Sequence, residues 1–179
     1  MHEGVQGLPL SLAVDNRHGG QVDTRLRICE VYAMRFGIFV VMAGRNAGGP
    51  ETYEHGLVRS LAALDRNNEY HIFSLNQEAA ASFCLTQSNI QHHVLWPNIR
   101  WCSIPVSLPV ALLRNKIELF HATYVPPPFS PVSYVFTLHD MIMFTHPELY
   151  PPAILWRLKK LILRALQHAR LVLCVSQYT

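Results

Sequence analysis

Residues 34–64 decide the fold of this chain, and they read MRFGIFVVMAGRNAGGPETYEHGLVRSLAAL. Residues 35–42 form a short apolar run rich in Val, Ile and Phe, and its lack of alternation indicates a strand covered on both faces, as in a parallel sheet. A glycine-containing loop follows at residues 43–50. Residues 51–64 repeat apolar side chains at helical spacing, with Pro50 at a favourable N-terminal position. The stretch therefore predicts a strand, a loop and a helix.

The same alternation continues along the rest of the chain. Further strands are predicted at residues 70–75, 90–95, 119–122, 133–138 and 171–175, and further helices at residues 103–113 and 152–168. The last helix carries the clearest apolar stripe, and the strand after it is predicted to be buried. Strands alternating with helices predict an α/β fold, a Rossmann-like doubly wound parallel sheet with right-handed crossovers.

The composition fits one domain with a sizeable core. The chain has 179 residues, of which 50% are hydrophobic and 15% charged, with a net charge of +3. This balance excludes an intrinsically disordered chain and a protein that coats nucleic acid. The longest apolar stretches, residues 36–43 and 161–166, are too short to span a bilayer.

The four cysteines and the two chain ends lead to further expectations. No zinc-site spacing is present, so we expect Cys29, Cys84, Cys102 and Cys174 to be reduced core thiols of a cytosolic protein. Residues 1–33 have irregular composition, which predicts a disordered extension before a domain at residues 34–179. Because Ser176 follows the last strand as a helix cap would, with no helix after it, we expect the domain to be truncated at its C-terminal end.

Three polar segments follow predicted strands, at the sheet edge where open parallel sheets bind ligands. The glycine loop at residues 44–51 either approaches an anion through its backbone N–H groups or is a tight turn. His121 and His139 each end a strand, so both are expected to face one crevice. Asp140 follows His139, and the pair alternatively suggests a metal phosphohydrolase, although His146 alone cannot complete such a site.

The helix at residues 152–168 carries a basic group of residues. Arg157, Lys160 and Arg164 are three and four residues apart, so they are predicted to share a face opposite the apolar stripe. That face is either solvated or attracted to anionic lipid head groups.

Short motifs in order along the chain resemble the N-terminal half of a family 4 glycosyltransferase. They are MRFGI at 34–38, GGPETY at 48–53, LAALD at 61–65, NEY at 68–70, FHA at 120–122, TLHD at 137–140, HPE at 146–148 and LCVSQYT at 173–179. The resemblance implies a GT-B architecture, in which an acceptor-binding and a donor-binding Rossmann-like domain face each other across a cleft. It also implies transfer with retention of configuration, with neither a metal nor a cofactor.

The resemblance assigns roles residue by residue. Gly48 and Gly49 would lie near the diphosphate of the donor, and His139 would contact the transferred sugar, with Asp140 as the second catalytic residue. The acceptor side would consist of His121, Glu51 and Tyr124. The donor-binding domain of the family is not recognisable in this sequence, so we expect it to be a missing partner.

The leading hypothesis is the acceptor domain of a transferase. It would act on a nucleotide sugar and move a hexosyl group, such as mannosyl, to a glycan or lipid-linked acceptor. The expected location is the cytoplasm, with peripheral contact to the inner face of the membrane and no nucleic-acid partner. The alternative is a non-catalytic module that binds a glycan or acceptor, or one chain of a two-chain transferase.

Overall fold

The structure is a computed structural model, and it describes residues 33–84, 87–124, 127–177 and 179. The expected disordered extension at residues 1–33 therefore lies, apart from Ala33, outside the described residues. Cys29 lies outside them as well.

Six parallel strands form one sheet in the order β3-β2-β1-β4-β5-β6. The strands are β1 (Arg35–Phe39), β2 (Glu69–Ser74), β3 (Ile90–Val94), β4 (Leu119–Ala122), β5 (Ser133–Leu138) and β6 (Leu171–Cys174). The order reverses between β1 and β4, which pair in parallel. This is the switch point at which doubly wound sheets open a crevice beyond the strand ends, so the topology fixes where to look for a site.

Helices connect the strands and cover both faces of the sheet. They are α1 (Gly49–Leu64), α2 (Gln77–Phe83), α3 (Arg100–Cys102), α4 (Leu108–Arg114), α5 (Ile142–Thr145) and α6 (Pro152–His168). A π-helical turn (Ser103–Ser107) joins α3 to α4, and a 3₁₀ turn (Pro147–Leu149) precedes α6. The predicted Rossmann-like parallel sheet is confirmed.

The alternation of side chains along the strands divides the core between the two faces. Ile38 of β1 packs with Val58 of α1 on one face. Its neighbour Phe39 packs with Leu112 of α4 and Ile162 of α6 on the other. Because successive side chains of a strand point to opposite faces, a strand buried on both faces needs the continuous apolar run seen at residues 35–42.

Three short helices were not predicted, and one of them, α3 (Arg100–Cys102), directly precedes the helix predicted at residues 103–113. In α2, the Asn76 side chain accepts a hydrogen bond from the Ala79 N–H and caps the helix, so Asn76 followed by Gln77 and Glu78 was the signal in the sequence. The helix α5 has only four residues, Ile142–Thr145, and is too short for a periodic pattern.

Two expectations about burial are wrong. The strand β6 is largely exposed, because it lies at the edge of the sheet: Leu171, Leu173 and Cys174 all face solvent. The expected core thiols Cys84, Cys102 and Cys174 are free and exposed. The hydrophobic character of these residues therefore did not predict whether they are buried.

Within the described residues, no helix is long and apolar enough to cross a membrane.

Candidate active site

The candidate site lies where β1, β4 and β5 end, beside the loop that leads into α1. His121 belongs to β4, His139 directly follows β5, and Gly48 precedes α1. The register pairs Ile38 of β1 with His121 of β4, so the ends of these neighbouring strands lie at one edge of the sheet. The fold thus brings three separately predicted segments to one place.

A buried carboxylate organises the beginning of the glycine loop. Glu54 of α1 is fully buried. Its Oε1 accepts the Val41 N–H at 2.8 Å, and its Oε2 accepts the N–H groups of Met42 at 2.9 Å and Ala43 at 2.7 Å. The Thr123 hydroxyl lies 2.6 Å from Oε1. Burial raises the pKa of Glu54, although these hydrogen bonds oppose the shift.

Glu51 organises the second part of the loop. Its carboxylate accepts the N–H of Gly44 at 2.8 Å and that of Ala47 at 2.7 Å. The Ala47 hydrogen bond is the main reason why the pKa of Glu51 is lowered. The structure thus places this residue, predicted on the acceptor side, in contact with its own loop, and an acceptor contact stays a prediction.

Carboxylates therefore already occupy two N–H groups of the predicted anion loop, those of Gly44 and Ala47, and the three N–H groups that directly precede it. The open part of the loop is at Gly48 and Gly49, where an added Cβ atom would meet nothing within 4 Å. Gly48 adopts φ 69° and ψ −127°, a conformation that glycine adopts far more easily than other residues. Gly48 and Gly49 thus leave room for a ligand to approach the loop, whereas a Cβ atom at Gly44 would meet backbone at 3.1 Å.

His139 is held in one orientation. Its Nε2 lies 2.8 Å from the Thr123 carbonyl oxygen. Because a carbonyl oxygen only accepts, Nε2 carries the proton and donates it. The Tyr53 ring packs against the imidazole at 90° with ring centroids 5.1 Å apart, and the Tyr124 ring lies 5.4 Å away. In the neutral ring, Nδ1 is consequently the acceptor.

His121 belongs to a neighbouring polar chain. Its Nε2 lies 2.8 Å from the Thr137 hydroxyl oxygen, which lies 2.9 Å from the Tyr53 hydroxyl. Burial, together with the nearby His139, lowers the pKa of His121 to about 4. His121 is thus uncharged at neutral pH, and it supports the Tyr53 ring that packs on His139.

Asp140 and Tyr124 stand close to each other at the same edge. An Asp140 oxygen accepts the Ile142 N–H at 3.0 Å, which fixes the turn into α5. Burial raises the pKa of Tyr124, and the Asp140 charge raises it further. Both side chains are half-buried.

A cavity of about 890 Å³ adjoins these residues. Its wall includes His139, Asp140 and Tyr124 together with apolar side chains of β5 and α6. Polar groups at one side of an apolar cavity are typical of small-molecule sites.

The basic residues of α6 are not opposite the apolar stripe, which corrects the sequence prediction. Arg157, Lys160 and Arg164 line the cavity together with the stripe residues Leu158 and Leu161. On a helix these three positions flank the apolar stripe rather than oppose it. Arg157 is half-buried, with its guanidinium carbon 3.5 Å from the centroid of the Trp101 ring.

Several residues of the site were missed from the sequence. The missed residues are Tyr53, Glu54, Arg100, Trp101, Thr123 and Thr137. Glu54 had a signal, since it lies three positions after Glu51 on one helix face next to the loop. Arg100 and Trp101 had none, because their contact with Arg157 joins segments far apart in sequence.

The comparison with known families now decides the identity at family level. The model of Glycosyltransferase Family 4 matches residues 47–179. This chain belongs to that family. The matched range contains Gly48 and Gly49, both histidines of the strand ends and most of the cavity wall. Comparison with curated proteins finds none that matches the chain.

Family membership also bears on the metal phosphohydrolase hypothesis. Among the described residues, no group of three or more His, Cys, Asp and Glu side chains could hold a metal ion. His146 is exposed and its Nδ1 contacts Glu148 at 3.0 Å, so it does not join His139 and Asp140. The glycosyltransferase family accounts for the arrangement of these residues better.

Proposed function

We propose that this chain is the acceptor-side domain of a retaining glycosyltransferase. In this proposal a hexosyl group, such as mannosyl, moves from a nucleotide sugar to a glycan or lipid-linked acceptor. The observation that carries it is the fixed His139 ring, which packs against Tyr53 of α1 and lines the apolar cavity. Family membership supports the transferase part of the proposal.

His139 would act on charge that develops during transfer. When the bond between sugar and diphosphate breaks, positive charge appears at the anomeric carbon. In its neutral form the imidazole directs its proton to Thr123, so its Nδ1 lone pair is then available to face that charge or to accept a sugar hydroxyl. The carbonyl oxygen of His139 lies 3.3 Å from the Thr179 hydroxyl, which leaves the ring as the stronger candidate.

The surrounding residues would position His139 and the two substrates. Tyr53 and Thr123 set the ring orientation, and His121 supports Tyr53 through Thr137. An uncharged His121 adds no positive charge beside a centre that itself becomes positive. Asp140, at the wall of the cavity, is suited to orient an acceptor hydroxyl.

The donor would be held mainly by a second, donor-binding domain. Gly48 and Gly49 offer the open end of their loop to its diphosphate, at the N-terminus of α1 where the helix dipole favours negative charge. No cofactor or metal is required in this scheme. We expect no sugar transfer by this chain alone, because positioning both reactants supplies much of the rate enhancement.

Contact with the inner, cytoplasmic face of a membrane is part of the proposal. Trp96 and Trp156 are 85% and 66% exposed, and Lys160 lies 5.0 Å from the Trp156 ring. Exposed tryptophans beside basic residues are typical of membrane interfaces. Co-sedimentation with anionic vesicles, lost at high salt and absent with zwitterionic vesicles, is the expected result. Equal binding to both kinds of vesicle would contradict this contact.

The function is tested by fusing this chain to the donor-binding domain of a related two-domain transferase. This fusion enzyme is assayed with a panel of nucleotide sugars and with glycan and lipid-linked acceptors. Transfer with retained configuration, reduced in His139→Ala but not in His146→Ala, is expected. If acceptors bind while no donor is turned over, the non-catalytic binding module becomes the better account. Transfer upon mixing the two domains as separate chains would favour the two-chain alternative.

A further inference from the structure

The cavity beneath α6 collects positive charge without a matching negative charge. Among its wall residues, Arg100, Arg157, Lys160 and Arg164 are basic, whereas Asp140 is the one acidic side chain. The ion pairs within the described part of the chain involve Arg35 and three histidines, and none of these four residues. Within the part of the chain that the structure describes, no ion pair therefore compensates the charge of the cavity wall.

Two of these cations, Arg100 and Arg157, are joined through Trp101, which follows Arg100 in the chain and lies 3.5 Å from the Arg157 guanidinium carbon. Partial loss of hydration lowers the pKa of Arg100, and the neighbouring charges of Arg45 and Arg157 lower it further. Arg100 is exposed and Arg157 half-buried, so both can reach an anion at the cavity, and the repulsion between their like charges favours an anion placed between them. The charge of Asp140 acts on Tyr124, whereas the charges that lower the pKa of Arg100 are those of Arg45 and Arg157.

Arg157 is oriented to receive an oxyanion. Its guanidinium lies over the Trp101 ring, and its Nε is buried without a hydrogen-bond partner. A guanidinium stacked through its face keeps its N–H groups free in its own plane, where they match two oxygens of a phosphate or carboxylate. An unpaired buried donor is costly, and an anion held by the Nη groups of the same plane would place negative charge beside it.

The rest of the cavity wall is apolar. Its wall includes Phe136, Leu138, Met143, Leu158, Leu161 and Ile162. A volume of about 890 Å³ lies at the upper end of the range of about 300–1,000 Å³ for small-molecule sites. A single phosphate ion would leave most of this volume unused. The ligand that matches both parts has an anionic head and an apolar body.

We propose that this cavity binds a phosphate-bearing amphiphile, with the phosphate between Arg100 and Arg157 and the apolar chain along α6. As the identity of the acceptor, this assignment rests on the proposed function. The binding event itself does not depend on sugar transfer. His139 and Asp140 line the same cavity, so the head group of the amphiphile would lie beside the proposed transfer site.

The test titrates the full chain with decyl phosphate below its critical micelle concentration, followed by calorimetry and by the fluorescence of the protein. Saturable binding is expected, about tenfold or more weaker in Arg157→Gln and in Arg100→Gln. The matched control is Arg59→Gln, which removes an exposed cation of α1 outside the cavity wall and should leave the affinity unchanged. Melting temperatures of all variants verify that each is folded.

A second pair of variants examines the apolar part. Ile154 lines the cavity, whereas Leu163 is exposed on the same helix away from it. Ile154→Ser should weaken decyl phosphate binding several-fold, and Leu163→Ser should not. If both variants lose affinity equally, the chain does not bind within the cavity and the proposal fails.

Two further ligands test whether the phosphate alone or the alkyl chain alone accounts for the affinity. Inorganic phosphate and decyl maltoside should each bind far more weakly than decyl phosphate. Equal affinity for inorganic phosphate would mean a free-anion site, and equal affinity for decyl maltoside would mean adsorption of any detergent; either result overturns the proposal. Binding as expected without transfer by the fusion enzyme would contradict the proposed function alone, and transfer without binding would contradict only this inference.

Discussion

The glycine loop and the cavity beneath α6 both contain several charged side chains. The two carboxylates at the loop accept backbone N–H groups, whereas the cations at the cavity form no ion pair within the described residues. Glu51 and Glu54 together accept five backbone N–H groups at 2.7–2.9 Å. Arg157 stacks on Trp101 with an unpaired Nε, and Arg100 faces other cations. Residues 41–47 therefore have these N–H groups bonded as folded, whereas the Nε of Arg157 has no hydrogen-bond partner.

This difference separates residues that stabilise the fold around the site from residues that bind a ligand. A buried carboxylate with every oxygen engaged stabilises the fold, and removing it leaves donors without acceptors. A cluster of like charges contributes nothing comparable to the fold, so its presence points to binding. Substituting Glu54 should therefore lower the stability of the fold, whereas substituting the cations of the cavity should lower ligand affinity and change stability little.

The largest effect is expected for Glu54→Ala. This change leaves the N–H groups of Val41, Met42 and Ala43 without their acceptor in a buried place. The free energy of unfolding should fall by about 3 kcal/mol or more, as measured by urea denaturation. Glu78→Ala, on the exposed side of α2, is the control and should change it by no more than about 0.5 kcal/mol. A loss of less than about 1 kcal/mol in Glu54→Ala would remove the distinction between the two regions.

The pH dependence of stability should show that His121 is uncharged in the folded chain at neutral pH. The pKa of His121 is about 4 in the folded chain and near 6.5 when unfolded. Between these values the unfolded state binds more protons, so the contribution of His121 is full above pH 6.5 and is lost as the pH falls towards 4. It amounts to at most about 3 kcal/mol.

Because His92, with a pKa also lowered to about 4, acts in the same direction, the readout is a difference between variants. His121→Gln should reduce the slope of stability against pH between 6.5 and 4, measured by denaturation at several pH values. An unchanged slope would show that His121 is not buried in its neutral form.

Valine substitutions at Gly48 and Gly49 should lower the stability of the chain by different amounts. Gly48→Val places a branched side chain at φ 69°, which costs about 1–3 kcal/mol of stability. Gly49→Val meets no neighbour, and Gly49 has no positive φ, so its cost should be clearly smaller. Thermal unfolding of the two variants compares them directly. Equal destabilisation would show that strain at Gly48 does not shape the loop.

The smallest effect on stability is expected for Arg157→Leu. The change removes a cation from a repelling cluster and also its contact with Trp101, worth about 0.5–1 kcal/mol. These contributions oppose each other, so the free energy of unfolding should change by no more than about 1 kcal/mol. A loss of more than about 2 kcal/mol in urea denaturation would make Arg157 a structural residue, like Glu54.

The sequence was sufficient for the parts of the fold that depend on local pattern. The uninterrupted apolar run at residues 35–42 predicted β1 as a strand buried on both faces, and the helical spacing of the apolar stripe predicted α6. The exposure of β6 was not predictable in this way, since it depends on which strand stands at the edge of the sheet.

The candidate site was predictable only in its location. The ends of β4 and β5 carried His121 and His139, as a parallel sheet requires. The role of Glu54 depends on how residues 41–43 turn toward α1, and the cation cluster depends on the approach of Arg100 to Arg157. Such contacts between distant segments leave no periodic signal.

The most direct test of the account is the effect of His139→Ala in the fusion enzyme, with kcat and melting temperature measured on the same preparation. If the ring stabilises charge that appears only in the transition state, kcat should fall by about 100-fold, equivalent to about 2.7 kcal/mol. Donor affinity should change much less, and the control His146→Ala should retain its kcat. A destabilised His139→Ala protein with normal kcat per folded molecule would contradict the account, because His139 would then serve only to hold Thr123 and its loop.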